Sequence, residues 1–123
     1  MNQASSNYDL DERTAKFGES VIVFCKNLKE DTINKPLINQ LVRSATSVGA
    51  NYMEANGASS RKDFTNKIFI CKKESQEAKH WFRMLNQTNP EKKEELRKLW
   101  QEAQELTMIF QKITNSLRNK TCQ

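Results

Sequence analysis

Glu77-Ala78-Lys79-His80 carries the one histidine of this 123-residue chain. The E-x-x-H spacing puts a carboxylate and an imidazole on one helix face, as in di-iron carboxylate bundles. Those centres need two such motifs and two further glutamates, so a single-chain di-iron site is excluded. A metal shared between subunits would be the remaining form, and little else in the chain supports it. A Ser/His/Asp or Cys/His centre would also have to use His80, on a face that otherwise reads as exposed. No glycine-rich phosphate loop and no HExxH motif is present. Cys25, Cys71 and Cys122 are odd in number and have no metal-ligand spacing, which points to a reducing, cytoplasmic setting. The expectation is no enzyme, no metal and no cofactor.

A second pattern concerns charge. Phe69, Lys72, Gln76, Lys79 and Arg83 recur at spacings of three and four, with Lys73 and His80 adjacent. Between Ser60 and Arg83 there are seven basic and three acidic residues. The net charge of +5 is uneven, being −2 over Met1 to Asn34 and +7 over the rest. One reading is a phosphate-tracking face for RNA or DNA, made by Lys62, Lys72, Lys73, Lys79 and Arg83, with Phe69 beside them. The other is a solvated helix face with a local lysine excess. The residues alone leave both open, and Arg83 can equally pair with a carboxylate on another helix.

A third pattern is polar. Ser44, Ser47, Asn51 and Glu54 form a stripe beside an apolar seam. Asn51 and Glu54 are expected to be at least partly buried and hydrogen-bonded to neighbouring helices, because a buried carboxylate needs donors. Arg43, Lys67 and Lys73 are candidate partners, and Glu74 and Glu77 extend the belt. The bland reading is a network that fixes helix register; the sharper one is a ligand site.

The elements that position these residues are helices. Three glycines and two prolines are too few for a loop-rich fold, and no apolar run approaches the ~20 residues of a membrane span. No signal peptide is expected at the start, and residues 1–123 read as one domain. The first helix spans about 9–29, capped by Asp9, with Leu10, Phe17, Val21, Phe24 and Leu28 as its seam; Ile22, Val23 and Cys25 widen the covered surface. The second spans about 36–56, with Pro36 in its first turn, Gly57 as its stop, and a seam of Ile38, Leu41, Ala45, Val48, Tyr52 and Ala55. Small residues from Ser44 to Ala50 let a neighbouring helix approach closely. The third spans about 61–86, capped by Ser60 with Asp63 three residues on, and its seam runs Phe64, Ile68, Cys71, Ser75, Ala78, Phe82, Leu85. The fourth spans about 90–118, signalled by Asn89 as cap, Pro90 and Glu91. Short turns favour an all-α, antiparallel up-down-up-down four-helix bundle. Phe69, Ile70, Trp81 and Met84 lie off the seam of the third helix, and Trp100, Met108 and Ile109 flank that of the fourth. Surplus apolar residues either widen the core or form a subunit interface.

The run from Leu41 to Leu85 resembles the four helix bundle protein family, also called 23S rRNA-intervening sequence proteins. The matching residues begin with Arg43-Ser44, Ser47 and Gly49-Ala50-Asn51, then Glu54-Ala55. After a turn come Lys62-Asp63-Phe64, Lys67, Lys73-Glu74, Glu77, Trp81 and Leu85. Tyr52-Met53 departs from the pattern, being bulkier than the usual Ile-Ala. The resemblance implies a small cytoplasmic bacterial bundle of undefined biochemical function, with no catalytic residues to carry over. It also implies a homopentameric ring with a central channel, which assigns Phe69, Ile70, Trp81 and Met84 to the oligomer interface. A related branch, the accessory variability proteins of diversity-generating retroelements, binds a reverse transcriptase and nucleic acid. The expected function is therefore a non-enzymatic oligomeric bundle that binds RNA, DNA or a nucleic-acid-handling protein such as a reverse transcriptase, with no membrane partner. The alternative is a purely structural protein–protein scaffold.

Overall fold

A computed structural model describes the backbone of residues 3–122 and the side chains of residues 10–119. Four helices follow one another: α1 (Gln3–Lys26), α2 (Asn34–Asn56), α3 (Arg61–Thr88) and α4 (Lys93–Cys122), with a 3-10 turn at Pro90–Lys92 before α4. Each touches its neighbours in the chain, and α4 closes back on α1. Thr14 meets Gly49 while Gly18 meets Thr46, Arg43 meets Glu74 while Glu54 meets Lys67, and Lys72 meets Gln111 while Lys79 meets Gln104, so successive helices run in opposite directions and the bundle is up-down-up-down.

The seams bury as their three-four spacing predicts. Leu10, Phe17, Val21, Phe24 and Leu28 meet Leu41, Ala45, Val48, Tyr52 and Ala55 of α2 in one core with residues of α3 and α4. The centre is aromatic. Phe17 meets Phe82 edge-on at 6.3 Å between ring centroids, and Tyr52 meets Phe110 at 6.1 Å. Such pairs add about 0.5–1.5 kcal/mol beyond the area they bury. The bulky Tyr52 is thus accommodated by a long-range ring contact, while Met53 turns outward. Ile22 and Val23 are exposed, contrary to the expectation that the middle of α1 is covered on several sides. Only Cys25 of that trio is buried, because α1 meets just two neighbours.

Helix ends depart from expectation for local reasons. The α1 backbone winds from Gln3, since no glycine or proline separates Gln3 from Asp9; the side chain of Asp9 lies outside the described residues. α2 begins two residues before Pro36, held by Asp31, whose Oδ1 accepts from the amides of Ile33 (3.1 Å) and Asn34 (2.7 Å). Ser60 caps α3, its hydroxyl accepting from the Asp63 amide at 3.0 Å. Asn89 does not cap the turn that follows it. Its side chain instead joins a buried clasp at this end of the bundle. Asn34 Nδ2 donates to Lys29 O (2.9 Å) and Asn89 Oδ1 (3.1 Å). Asn34 Oδ1 accepts from Thr88 Oγ1 (2.7 Å) and Asn89 Nδ2 (3.1 Å). Every hydrogen-bonding position of the Asn34 carboxamide is used, which lets it sit in the core without an orphaned group.

Candidate nucleic-acid interface

The basic line on α3 divides when it is placed in the bundle. Lys72 and Lys79 lean into the α3–α4 seam. Lys72 Nζ donates to Gln111 Oε1 at 2.9 Å and lies 5.5 Å from the Phe69 ring centroid. Lys79 donates to Gln104 Oε1 and lies 5.2 Å from the centre of the Trp100 indole. Both are half-buried, whereas Lys62, Lys73 and Arg83 are exposed. Lys73 turns toward the other side of α3, where its charge acts on Glu77. The five cations therefore do not form one continuous track, because 3.6 residues per turn carries them around the helix onto both flanks.

The α3–α4 flank is richer than α3 alone. Arg83 is joined by Lys93 and Arg97 of α4, with Trp100 between them and Lys79. Arg97 donates to Glu94 at 2.7 Å, which holds that carboxyl below its ordinary range. The side chains of Arg83 and Lys93 have no ion pair or hydrogen bond among the described residues. Sequence reasoning centred on the third helix passes over Lys93 and Arg97. Yet Lys93, Arg97 and Trp100 recur at spacings of four and three, the same signal that marks Lys72, Lys79 and Arg83.

The polar belt is built around Arg43. Its guanidinium donates to both oxygens of the buried Glu74, each at 3.3 Å, and to Glu77 Oε2. Trp81 Nε1 donates to the same Glu77 oxygen at 3.1 Å. Burial works to raise the Glu77 carboxyl, but the hydrogen bonds from Trp81 and Arg43 outweigh it and hold the group below its usual range. Asn51 and Glu54 each meet one half of the expectation, Asn51 its burial and Glu54 its bond to the neighbouring helix. Asn51 is half-buried, but its Nδ2 donates to Ser47 O of its own helix at 2.9 Å, since a short carboxamide reaches back one turn more easily than across. Glu54 is 53% exposed and pairs with Lys67 Nζ at 2.7 Å near the α2–α3 turn. The small residues of α2 do admit a close neighbour: a Cβ on Gly49 would lie 3.4 Å from the Thr14 backbone of α1. A further cross-helix pair involves Arg13, which donates to Glu102 (2.7 and 2.9 Å) and Glu105 (2.6 Å) and ties α1 to α4.

Phe69, Ile70, Trp81 and Met84 are all half-buried within one chain. Trp81 packs against the core and is fixed by Glu77, so it widens the core as well as reaching the surface. The large apolar side chains that stand exposed are Ile22, Val23, Ile33, Met53, Trp100 and Met108. The Glu77–His80 spacing assembles no metal centre. Glu77 is occupied by Arg43 and Trp81, His80 packs edge-on to Trp81 at 4.8 Å, and no cluster of three ligand-type side chains occurs among the described residues. Burial pushes the thiols of Cys25 and Cys71 up to about 11 and about 12, which leaves them protonated and unreactive at neutral pH. No helix among the described residues is long and apolar enough to cross a membrane.

Comparison with known proteins agrees with this architecture. Residues 7–117 match the family described as 23S rRNA-intervening sequence protein. No curated protein matches the chain. Among solved structures, the chain is similar to a protein of unknown function from the S23 ribosomal protein family of Bacteroides thetaiotaomicron. Identity is 28% and the TM-score is 0.76, over 85% of this chain and 97% of that one.

Proposed function

The chain belongs to the 23S rRNA-intervening sequence protein family, and from that premise we propose that it is a non-enzymatic RNA-binding bundle working as a homo-oligomer. The observation that carries this reading is the α3–α4 flank, where Lys79, Arg83, Lys93 and Arg97 surround Trp100 and two of the four cations are unpaired. Unpaired arginine and lysine side chains exchange condensed counterions for phosphate contacts, and an aromatic side chain among them gives unpaired bases a stacking surface. Lys72, half-buried at the same seam, extends the flank, while Lys62 and Lys73 approach from the outer side of α3. The pentameric ring implied by the family resemblance would repeat this flank and turn a weak contact into avidity.

RNA affinity measured for the wild type and for Arg83→Glu/Lys93→Glu at two salt concentrations tests the reading. Both positions carry no intramolecular pair, so the variant keeps its helicity. We expect wild-type binding to fall steeply with salt and the variant to bind weakly at either. Equal affinity of the two would remove this flank, and no wild-type binding at low salt would end the RNA reading.

A protein-scaffold role is the second reading. It is favoured by a groove between α1 and α2, lined by Ala15, Gly18, Gly49 and Ala50 with Ile22 and Met53 exposed beside it. A nucleic-acid-handling protein such as a reverse transcriptase would be one occupant of that kind. Capture of a partner that survives nuclease treatment, without direct RNA binding, would favour it.

A further inference from the structure

The α3–α4 flank contains a cavity of about 380 Å³, inside the ~300–1,000 Å³ range of small-ligand sites. Phe82 and Leu96, both buried, give it an apolar base, while Arg83, Lys93, Arg97 and Trp100 complete its lining. Asn86 lines it too, and Asn86 Oδ1 is the one buried side-chain nitrogen or oxygen among the described residues with no hydrogen-bond partner. Elsewhere the structure satisfies its buried amides fully, as the Asn34–Asn89 clasp does. The Asn86 amide nitrogen also has no partner and is not enclosed, so the carboxamide offers its N–H to the cavity while its oxygen is turned inward.

Resting on the RNA-binding reading, we propose that this cavity takes a single unstacked purine nucleotide of RNA. Its base would lie against Trp100, the Asn86 amide N–H would donate to a purine ring nitrogen, and its phosphate would sit between Arg83 and Lys93. Each group is matched to a part of the ligand. Trp100 is 38% exposed and lines the cavity while Lys79 sits 5.2 Å from its ring centroid, so the indole is both accessible and held. A purine presents the larger π-surface for that ring. The Asn86 amide N–H is a donor that matches the acceptor ring nitrogens on a purine edge. Arg83 and Lys93 retain their full donor capacity for a phosphate. Arg97, neutralised in part by Glu94, serves the rim. An acidic peptide would use the two cations but bring no planar base to the indole.

The test compares short single-stranded oligoadenylate and oligouridylate at physiological salt, using the full chain. Wild type should bind the adenylate about threefold more tightly, because stacking is open to every base and only its strength favours the larger purine ring. Trp100→Ala should erase the preference, Trp100→Phe should keep most of it, and Asn86→Leu should reduce it with helicity unchanged. In a Trp81→Phe background, where Trp100 is the sole indole, adenosine monophosphate should quench tryptophan fluorescence. Salt-sensitive binding without purine preference, or a preference that survives Trp100→Ala, would overturn the nucleotide site and leave the electrostatic reading standing. No binding of either RNA at low salt would overturn both. Binding of an acidic peptide in place of RNA would transfer the flank to a protein partner.

Discussion

Arg43 shows how one side chain organises a seam. It is about half exposed, yet it is the cation that answers the buried Glu74 while also holding Glu77. Removing it strands a buried carboxylate, so Arg43→Ala is expected to lower stability by about 1–3 kcal/mol at neutral pH, measured by denaturant unfolding. The pH dependence has a definite sign. The folded protein holds the Glu77 carboxyl below its ordinary value, through the Trp81 and Arg43 hydrogen bonds that overcome burial. That stabilisation is complete above the ordinary glutamate value of ~4.3 and is lost as pH falls through the lower folded value. Wild-type stability should therefore decline in acid, and the deficit of Arg43→Ala should narrow there. A deficit constant across the acid limb would show that Glu77 is not coupled to Arg43. Glu54→Ala makes the contrast: its pair with Lys67 is exposed, and unfolding should not distinguish the variant from wild type.

At the scale of the helix, the seams were legible because periodicity depends only on which face is covered. Val21, Leu41, Ile68 and Leu85 fall where the three-four spacing puts them, all fully buried. What spacing does not encode is the partner across a turn. Asn89 reads as a cap from its position before Pro90, yet it spends its carboxamide on Asn34, 55 residues away, because the two turns meet at one end of the bundle. Asn51 reads as cross-helix and bonds within α2 for the converse reason. The division of Lys72 and Lys79 from Lys73 likewise follows from where α4 docks, which the α3 sequence cannot state alone. The clasp gives a prediction at this scale. Asn34→Leu is isosteric but leaves Thr88, Asn89 and Lys29 O without their partner, and should cost about 1–3 kcal/mol. If the clasp ties the two turns, Asn34→Leu and Asn89→Leu should be strongly non-additive in a double-mutant cycle. Additive losses would mean that each asparagine acts alone.

For the whole molecule, the proposed self-association requires a face that another copy can cover. Phe69, Ile70, Trp81 and Met84 are each half-covered by their own chain, and α1 with α2 offers a second, more exposed apolar face. There Ile22 and Met53 stand exposed, at 41% and 66%, along a groove of about 570 Å³ floored by small residues. Gly18 and Gly49 keep that groove shallow-walled: a Cβ on Gly18 would already reach Thr46 at 3.6 Å. A second copy that laid an apolar helix face there would cover both exposed side chains at once, and the basic flank on α3 and α4 would remain free on the outside. We expect wild type to scatter light as an assembly well above the 14.3 kDa chain at micromolar concentration. Ile22→Glu/Met53→Glu should bring the mass down toward one chain with helical content preserved, since neither residue belongs to the core. Phe69→Ser/Met84→Ser serves as the opposing arm. If that variant dissociates while Ile22→Glu/Met53→Glu does not, the interface lies on α3 after all, and a wild-type mass of one chain would remove self-association from the reading altogether.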